Sequence, residues 1–425
     1  MIHIKFISAI RLVLVSLFIG SLFYSSGSAQ ISTWASIGPE GGWIRALVQD
    51  PSNSQVMYLI GEGGRRWVYK STDKGQTWTE ISMIWESIYA LAIDSNNPSI
   101  LYVGAINDVH KSVDGGYTWT TQDFNKRDSY VNDVIVDPND SDIIHTCGYY
   151  WTGSQSIPFY YRSTDAGASW SYHHPVQDQH YANAVAVDPN NPDVIYLGCR
   201  GAYGKVYKST NGGQNWTDIS SIINSNIYDI EIDPTNSDRI IAASYSGIYR
   251  STNGGDTWMK NSGYAYGYKL ALDPNNPNTI YAGYYNNCYR STDGGINWTS
   301  VSDGLYGYRC YGLFVDGESP ENIFMANQAG IFRSQNSGDS WTPSNSGLLL
   351  AKIDALKLAP SSPTTMYIAF ADDAVYKTTN ALGKTGSQPS FGWTRLPEFL
   401  SCGDITSFAI APDNPDELYA LEGYG

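Results

Sequence analysis

Short runs in which apolar and β-branched residues alternate with polar ones recur through most of the chain, each stopped by a cluster that neither strand nor helix tolerates. In Ala186-Val187-Asp188-Pro189-Asn190-Asn191-Pro192, followed by Val194-Ile195-Tyr196-Leu197-Gly198, two such runs flank an Asp-Pro-Asn-Asn-Pro turn and read as a β-hairpin. Val206-Tyr207-Lys208-Ser209 is a third strand, and a fourth starts at Trp216. No segment of helical period separates them. Four short antiparallel strands per unit match one propeller blade, so the expected fold class is all-β: a β-propeller of four-stranded blades, about seven of them, plus the start of further blades.

The unit repeats. Ser-x-Asp/Asn-x-Gly-x-x-Trp returns at intervals of roughly 40 to 50 residues. The copies are Ser71, Asp73, Gly75, Trp78; Ser112, Asp114, Gly116, Trp119; Ser163, Asp165, Gly167, Trp170; and Ser209, Asn211, Gly213, Trp216. They continue with Ser251, Asn253, Gly255, Trp258; Ser291, Asp293, Gly295, Trp298; and Ser334, Asn336, Gly338, Trp341, and an eighth has decayed to Thr378, Asn380 and Gly383 ahead of Trp393. Asp or Asn can cap backbone N–H groups in a tight turn, Gly supplies positive φ, and Trp packs over the adjoining strands. That structural role outweighs a calcium site, because three of the seven intact copies carry Asn and lose the charge a hard cation prefers.

With its Asp-Pro-x-Asn-Pro-x-x-x-Tyr-x-Gly hairpin, the motif resembles the Asp-box, or BNR, propellers over nearly the whole chain after its leader. Similar families include sialidases, xyloglucanases, sortilin-type receptor domains and photosystem II assembly factors, which do different things on one scaffold. The resemblance implies Asp boxes lying away from the active site. Tyr58-Leu59-Ile60-Gly61-Glu62-Gly63-Gly64 is similar to a xyloglucanase segment that carries a catalytic Asp, with Glu62 in its place and the family's Arg-Thr pair missing. No sialidase Arg-Ile-Pro start motif is present.

Strand order assigns the loops to faces. With strands A to D in chain order, the Asp-Pro-Asn-Asn-Pro turns (A to B) and the boxes (C to D) share one face, and the variable B-to-C and D-to-A loops share the other. A ligand is expected on the variable face. That face is rich in aromatic residues: Tyr149, Tyr150, Trp151, Tyr203, Tyr245, Tyr284 and Tyr285 in B-to-C loops, and Trp85, Tyr130, Tyr264, Tyr266, Tyr306 and Tyr308 in D-to-A connections. Tyr and Trp suit sugar rings and protein interfaces, and they also fill space between blades. A glycosidase needs two carboxylates flanking the bond. Besides Glu62, the same loops hold Glu86, Asp108, Asp128, Asp178, Asp303, Asp372 and Asp404, which read as solvated charges.

Charge and composition narrow the partners. A net charge of −15 without Lys/Arg clusters argues against nucleic acid. His173, His174 and His180 match no zinc spacing, and neither metal nor cofactor is expected. The sequons at Asn139, Asn215 and Asn297 read as coincidence, the latter two falling inside boxes. Lys5 and Arg11 ahead of an apolar run from Leu12 to Phe23, then Gly27 and Ala29, read as a signal peptide over 1–29; no later stretch is expected to span a membrane. The chain is thus expected to be secreted or on the cell surface. Of five cysteines, Cys288 and Cys310 are the expected disulfide pair.

The expected division is a propeller over 30–345 and further blades over 346–425, incomplete at the C terminus, with Ile405–Ile410 and Leu418–Leu421 as their last strands. Thr33–Ile37, around Trp34, is expected to close a ring; one larger ring of all units is the alternative to seven blades. The function expected is a non-catalytic binding or scaffolding module for glycans or partner proteins. The alternative is a xyloglucanase-type glycoside hydrolase acting on β-glucans.

Overall fold

The computed structural model describes residues 41–422 apart from 63–65, 125–127, 174–179, 202–203, 262–265, 308, 347, 351–352, 360, 371–373, 380–392, 397–404, 412–413, 415 and 417. The leader and Trp34 lie outside the described residues. Seven four-stranded antiparallel sheets follow one another, each in the spatial order A-B-C-D. Blade 1 is β1 (Gly41–Gln49), β2 (Met57–Glu62), β3 (Arg66–Ser71) and β4 (Thr79–Ile84); blade 2 is β5 (Ile88–Ile93), β6 (Leu101–Ala105), β7 (Asp108–Ser112) and β8 (Thr120–Asp123). Blade 3 is β9 (Ser129–Asp137), β10 (Asp140–Trp151), β11 (Ser156–Ser163) and β12 (Ser171–His173); blade 4 is β13 (His180–Val187), β14 (Ile195–Gly201), β15 (Lys205–Ser209) and β16 (Thr217–Asp218). Blade 5 is β17 (Ile227–Ile232), β18 (Ile240–Ser244), β19 (Gly247–Ser251) and β20 (Met259–Lys260); blade 6 is β21 (Lys269–Asp273), β22 (Asn276–Gly283), β23 (Cys288–Ser291) and β24 (Thr299–Ser300). Blade 7 is β25 (Gly312–Val315), β26 (Ile323–Asn327), β27 (Gly330–Ser334) and β28 (Thr342–Pro343).

Every blade takes its four strands from one continuous stretch, and among the described residues blade 1 gains a fifth strand from the segment that follows blade 7. Closure uses side chains and a short segment. Ile44, Met57, Leu59 and Trp78 of blade 1 share a buried cluster with Phe324, Ala326, Ile331 and Leu348. Trp78 donates its indole N–H to Ser344 O at 3.0 Å and its backbone N–H to Ser346 O at 2.8 Å. β29 (Leu349–Leu350) runs parallel to β1, and Lys74 pairs with the buried Asp316 at 3.2 Å.

The repeated residues join each blade to the next on one face. In four of the hairpin turns the Asn two residues after the turn Asp reaches across: Asn96 donates to Pro138 O at 3.2 Å, Asn139 to Pro189 O at 2.9 Å, Asn190 to Pro234 O at 3.0 Å, and Asn275 to Gly317 O at 2.8 Å. The basic residue before the box Ser does the same one layer out, with Lys111 donating to Ala166 O at 2.7 Å, Lys208 to Gly254 O at 2.8 Å and Arg250 to Gly294 O at 2.7 Å. Within a box, Ser71 Oγ accepts the Gly75 N–H at 2.8 Å and donates to Asp73 at 2.7 Å, while Asp73 accepts the Thr77 N–H at 2.9 Å. Asn211 makes the same two contacts through its carbonyl oxygen, at 3.0 and 2.9 Å. The turn therefore needs an acceptor oxygen and no charge. Where the residue is Asp the bonds act on its ionisation: the Thr118 hydroxyl and N–H pull Asp114 down to about 2. Gly213, at φ +87°, is required twice over, since a Cβ there would lie 2.2 Å from the Tyr160 ring.

The residues after Leu350 belong to a second compact unit. Its described strands are β30 (Ile353–Ala359), β31 (Ser362–Phe370), β32 (Ala374–Thr378) and β33 (Thr394–Arg395) in one sheet, and β34 (Ile405–Ile410) and β35 (Leu418–Glu422) in another.

The expected disulfide is not formed. Cys288 and Cys310 are both buried free thiols, as are Cys147 and Cys199, and Cys402 lies outside the described residues. Cys288 and Cys310 share a core cluster, but the Cys310 thiol is directed to Gly312 O at 3.3 Å, over the open space left by Gly283. Burial pushes the Cys199 and Cys310 thiols up to about 12, and Cys147 and Cys288 well above the ordinary thiol range. These four cysteines should resist iodoacetamide at pH 8 in the native protein and react only in denaturant. Recovery of a peptide linking Cys288 to Cys310 from the native protein would contradict this.

Candidate functional site: a collar at the mouth of the central channel

The inner strands surround a channel of about 890 Å³. At the hairpin-turn end it is lined by Ser95, Pro138, Pro189, Pro234 and Pro274. At the other end it opens through a collar, built in five of the seven blades by one local irregularity of the inner strand. Where a regular inner strand would turn every side chain toward one of the two flanking blades, a β-bulge leaves one residue out of the ladder and re-aims it. The register skips Arg45 between Ile44 and Ala46, Tyr89 between Ile88 and Ala90, Asn183 between Ala182 and Ala184, and Tyr228 between Ile227 and Asp229. In blade 3 the same skip leaves out Asn132.

Counted back from the turn Asp of each blade (Asp50, Asp94, Asp137, Asp188, Asp233, Asp273, Asp316), the fifth residue is Arg45, Tyr89, Asn132, Asn183, Tyr228, Tyr268 and Tyr311. All seven line the channel. The hairpin glycine opposite makes room for the next inner strand: a Cβ on Gly198 would meet Ile227 at 2.5 Å, and one on Gly104 would meet Val131 at 2.6 Å.

Rings and guanidinium groups knit the collar together. Tyr130 stacks on Tyr149 at 4.7 Å, Tyr149 meets Tyr181 edge-on at 4.5 Å, and Arg200 lies over Tyr181 at 4.9 Å. Across the channel, Tyr268 stacks on Tyr284 at 4.9 Å, Tyr285 meets both, and Tyr266 and Tyr245 extend the group outward from Tyr284. Arg309 covers Tyr268 at 4.7 Å and Tyr311 at 5.3 Å, and Arg45 bridges Tyr311 at 5.3 Å to Tyr89 at 5.9 Å. The gap left by Asn132 and Asn183 is structural, since both amides donate to the next blade, at Ala182 O and Ile227 O.

The candidate aromatic residues fall into three groups. Tyr149, Tyr266, Tyr284 and Tyr285 join the collar clusters, with Tyr245 at the edge and 54% exposed. Trp85 and Trp151 stand out on the same face at 78% and 45% exposure. Tyr150 and Tyr306 pack into blade cores instead, Tyr306 edge-on to Phe332 at 4.6 Å. Tyr203, Tyr264 and Tyr308 lie outside the described residues. Glu62 ends β2, paired with Trp43 and Arg66. Of the other loop carboxylates, Glu86 lies 3.4 Å from His110.

Besides Arg45, Arg200 and Arg309 of the collar, four charged residues line the channel: Asp133, Asp229, Glu231 and Lys269. Asp133 accepts the Val185 N–H at 3.0 Å and Asp229 the Leu270 N–H at 2.8 Å, each tying its blade to the following inner strand. Lys269 is 3.5 Å from Asp229; burial works against its charge, but Asp229 and Asp133 more than offset this and raise it. Burial, with Asp229 nearby, pushes Glu231 up to about 8, and burial lifts Asp133 to about 6.

Folded Glu231 thus keeps a proton that the unfolded chain releases above its ordinary range, so stability present at acid pH is lost as the pH rises toward 8. Glu231→Gln should raise the melting temperature by roughly 5 °C at pH 8.5 and leave it unchanged at pH 4. An equal gain at both values would show that the proton is not held.

Blades, boxes and channel define an Asp-box β-propeller, and comparison with known proteins places it among particular relatives. The family model described as sortilin, neurotensin receptor 3 matches residues 158–287. In sequence the chain is similar to a xyloglucanase of a Paenibacillus species, 26% identical over 247 residues, 45% of this chain and 23% of the relative. It is also similar to xyloglucanase Xgh74A of Acetivibrio thermocellus, 25% identical over 266 residues, 46% of this chain and 31% of the relative. The matched stretch therefore spans less than a third of the length of these two relatives.

In structure it resembles the GH74 xyloglucanase of Xanthomonas campestris, with a TM-score of 0.64 and 15% identity, over 90% of this chain and 71% of the other. It also resembles YCF48 of Cyanidioschyzon merolae, with a TM-score of 0.53 and 14% identity, over 70% and 96% respectively. At such identities the structural likeness is one of fold. No described helix is long and apolar enough to cross a membrane.

Proposed function

We propose that this chain is an exported, non-catalytic binding module that holds a glycan at the collar. The observation that supports this reading best is the shared inner-strand position that lines the channel in all seven blades, is set off by a bulge in five of them, and holds a tyrosine in four. Tyrosine faces with polar tips suit pyranose rings. The face of boxes and hairpin turns, by contrast, uses its repeated side chains to hold blade to blade. Several sequence relatives are named xyloglucanases, which makes β-glucans the first glycans to try, and the signal-like leader supports export.

The test is calorimetric titration of the purified chain with xyloglucan oligosaccharides, alongside a reducing-end assay on xyloglucan polymer. Saturable binding without new reducing ends is the expected result. Hydrolysis that disappears in Glu62→Gln would replace this reading with that of a glycoside hydrolase, which the Glu62 segment and the relatives' names favour as the alternative.

A further inference from the structure

We infer that the collar contains an anion subsite that seats the carboxylate of an acidic sugar, an inference that rests on the collar being the glycan site. The chain carries a net charge of −15, yet Arg45, Arg200 and Arg309 all line the channel at its collar end. Among the described residues, neither Arg200 nor Arg309 has a carboxylate within 4 Å, whereas Arg239 and Arg290 elsewhere pair with Asp233 and Asp339. The Arg200 Nε–H is buried without a hydrogen-bond acceptor. A buried donor left this way costs free energy that a ligand oxygen would recover.

The geometry suits a planar anion. Arg200 lies over Tyr181, and Arg45 and Arg309 both lie over Tyr311, so two guanidinium groups converge on one ring. Stacking on a ring holds a guanidinium plane while leaving its in-plane N–H edges for bidentate bonds to a carboxylate. Arg309 adopts φ +41°, a left-handed conformation that costs a non-glycine residue free energy and persists only where its surroundings fix it. Deeper in the channel, Asp133 and Asp229 oppose an entering anion, and the nearby Lys269 is engaged by Asp229. The charge pattern therefore holds a carboxylate at the rim, among the tyrosines, which together fit a uronate-bearing glycan.

The experiment is titration of the full chain with oligogalacturonate and with a neutral xyloglucan oligosaccharide of matched length, at low and high salt. Oligogalacturonate should bind about 10-fold more tightly at low salt. Arg200→Gln and Arg309→Gln should each remove most of that preference while the melting temperature shows the ring intact. If either variant fails to fold, the salt dependence of the wild-type preference decides instead: a preference that salt does not weaken overturns the subsite.

Equal or tighter binding of the neutral sugar overturns the anion subsite and leaves the glycan reading standing. Binding of neither sugar removes the glycan reading itself. Binding of poly-glutamate without oligogalacturonate overturns the sugar as the source of the carboxylate.

Discussion

Trp78→Ala should destabilise the propeller by about 3–5 kcal/mol and lower its melting temperature by roughly 5–10 °C. Trp78 is 3% exposed and stands at the junction where blade 7 meets blade 1. Its truncation removes the indole from that cluster, leaves Ser344 O without its donor, and opens a cavity at the point where the ring joins its own start. Trp298 is less enclosed: it is half-buried and bonds to Gly295 O of its own box. Trp298→Ala should accordingly cost less. Thermal unfolding of both variants checks the account, and an equal loss in the two would show that the closing junction has no special weight.

The second large effect is on binding. Tyr149→Ala and Tyr311→Ala should each weaken xyloglucan oligosaccharide binding by about 2 kcal/mol, roughly 30-fold, because a few aromatic anchors carry most of the energy in such sites. Both side chains are half-buried at the collar, so truncation should leave the blades folded. Tyr117→Ala, at an exposed box position on the opposite face, should leave affinity unchanged. Equal losses in all three would mean that the ligand does not distinguish the two faces.

The ring was legible in the sequence because its parts repeat. Each Ser-x-Asp/Asn-x-Gly marks a turn whose oxygen and N–H groups must satisfy one another, and each Asp-Pro-x-Asn-Pro marks a hairpin. Pairing those signals in chain order assigns four strands to a blade and the loops to two faces. Closure was less legible. The Ser344–Leu350 segment that meets blade 1 carries no motif of its own, and its role comes from side chains brought together across more than 260 residues of chain.

The candidate collar was half legible. Tyr149, Tyr284 and Tyr285 follow from loop composition, but Tyr89, Tyr228, Tyr268 and Tyr311 sit at the start of inner strands, where alternation assigns them to blade packing. At Tyr89 and Tyr228 a bulge breaks that alternation, Tyr268 and Tyr311 immediately precede their strands, and neither arrangement leaves a composition of its own. The available signal was positional: aligning the blades on the turn Asp brings Arg45 and those four tyrosines into one column. Tyr150 and Tyr306 show the converse, since a loop aromatic that packs inward reads the same in sequence as one that faces out of the blade. Cys288 and Cys310 were brought into one core cluster as their strand positions suggested, but as free thiols, with that of Cys310 turned toward Gly312 O.

Hydroxyl-radical footprinting of the tyrosines, with and without a saturating xyloglucan oligosaccharide, tests most directly the claim that the collar is the binding site. Protection of Tyr89, Tyr149, Tyr228 and Tyr311, with Tyr117 on the box face unchanged, is the result this account predicts. Protection of Tyr117 with the four collar tyrosines unchanged would contradict it.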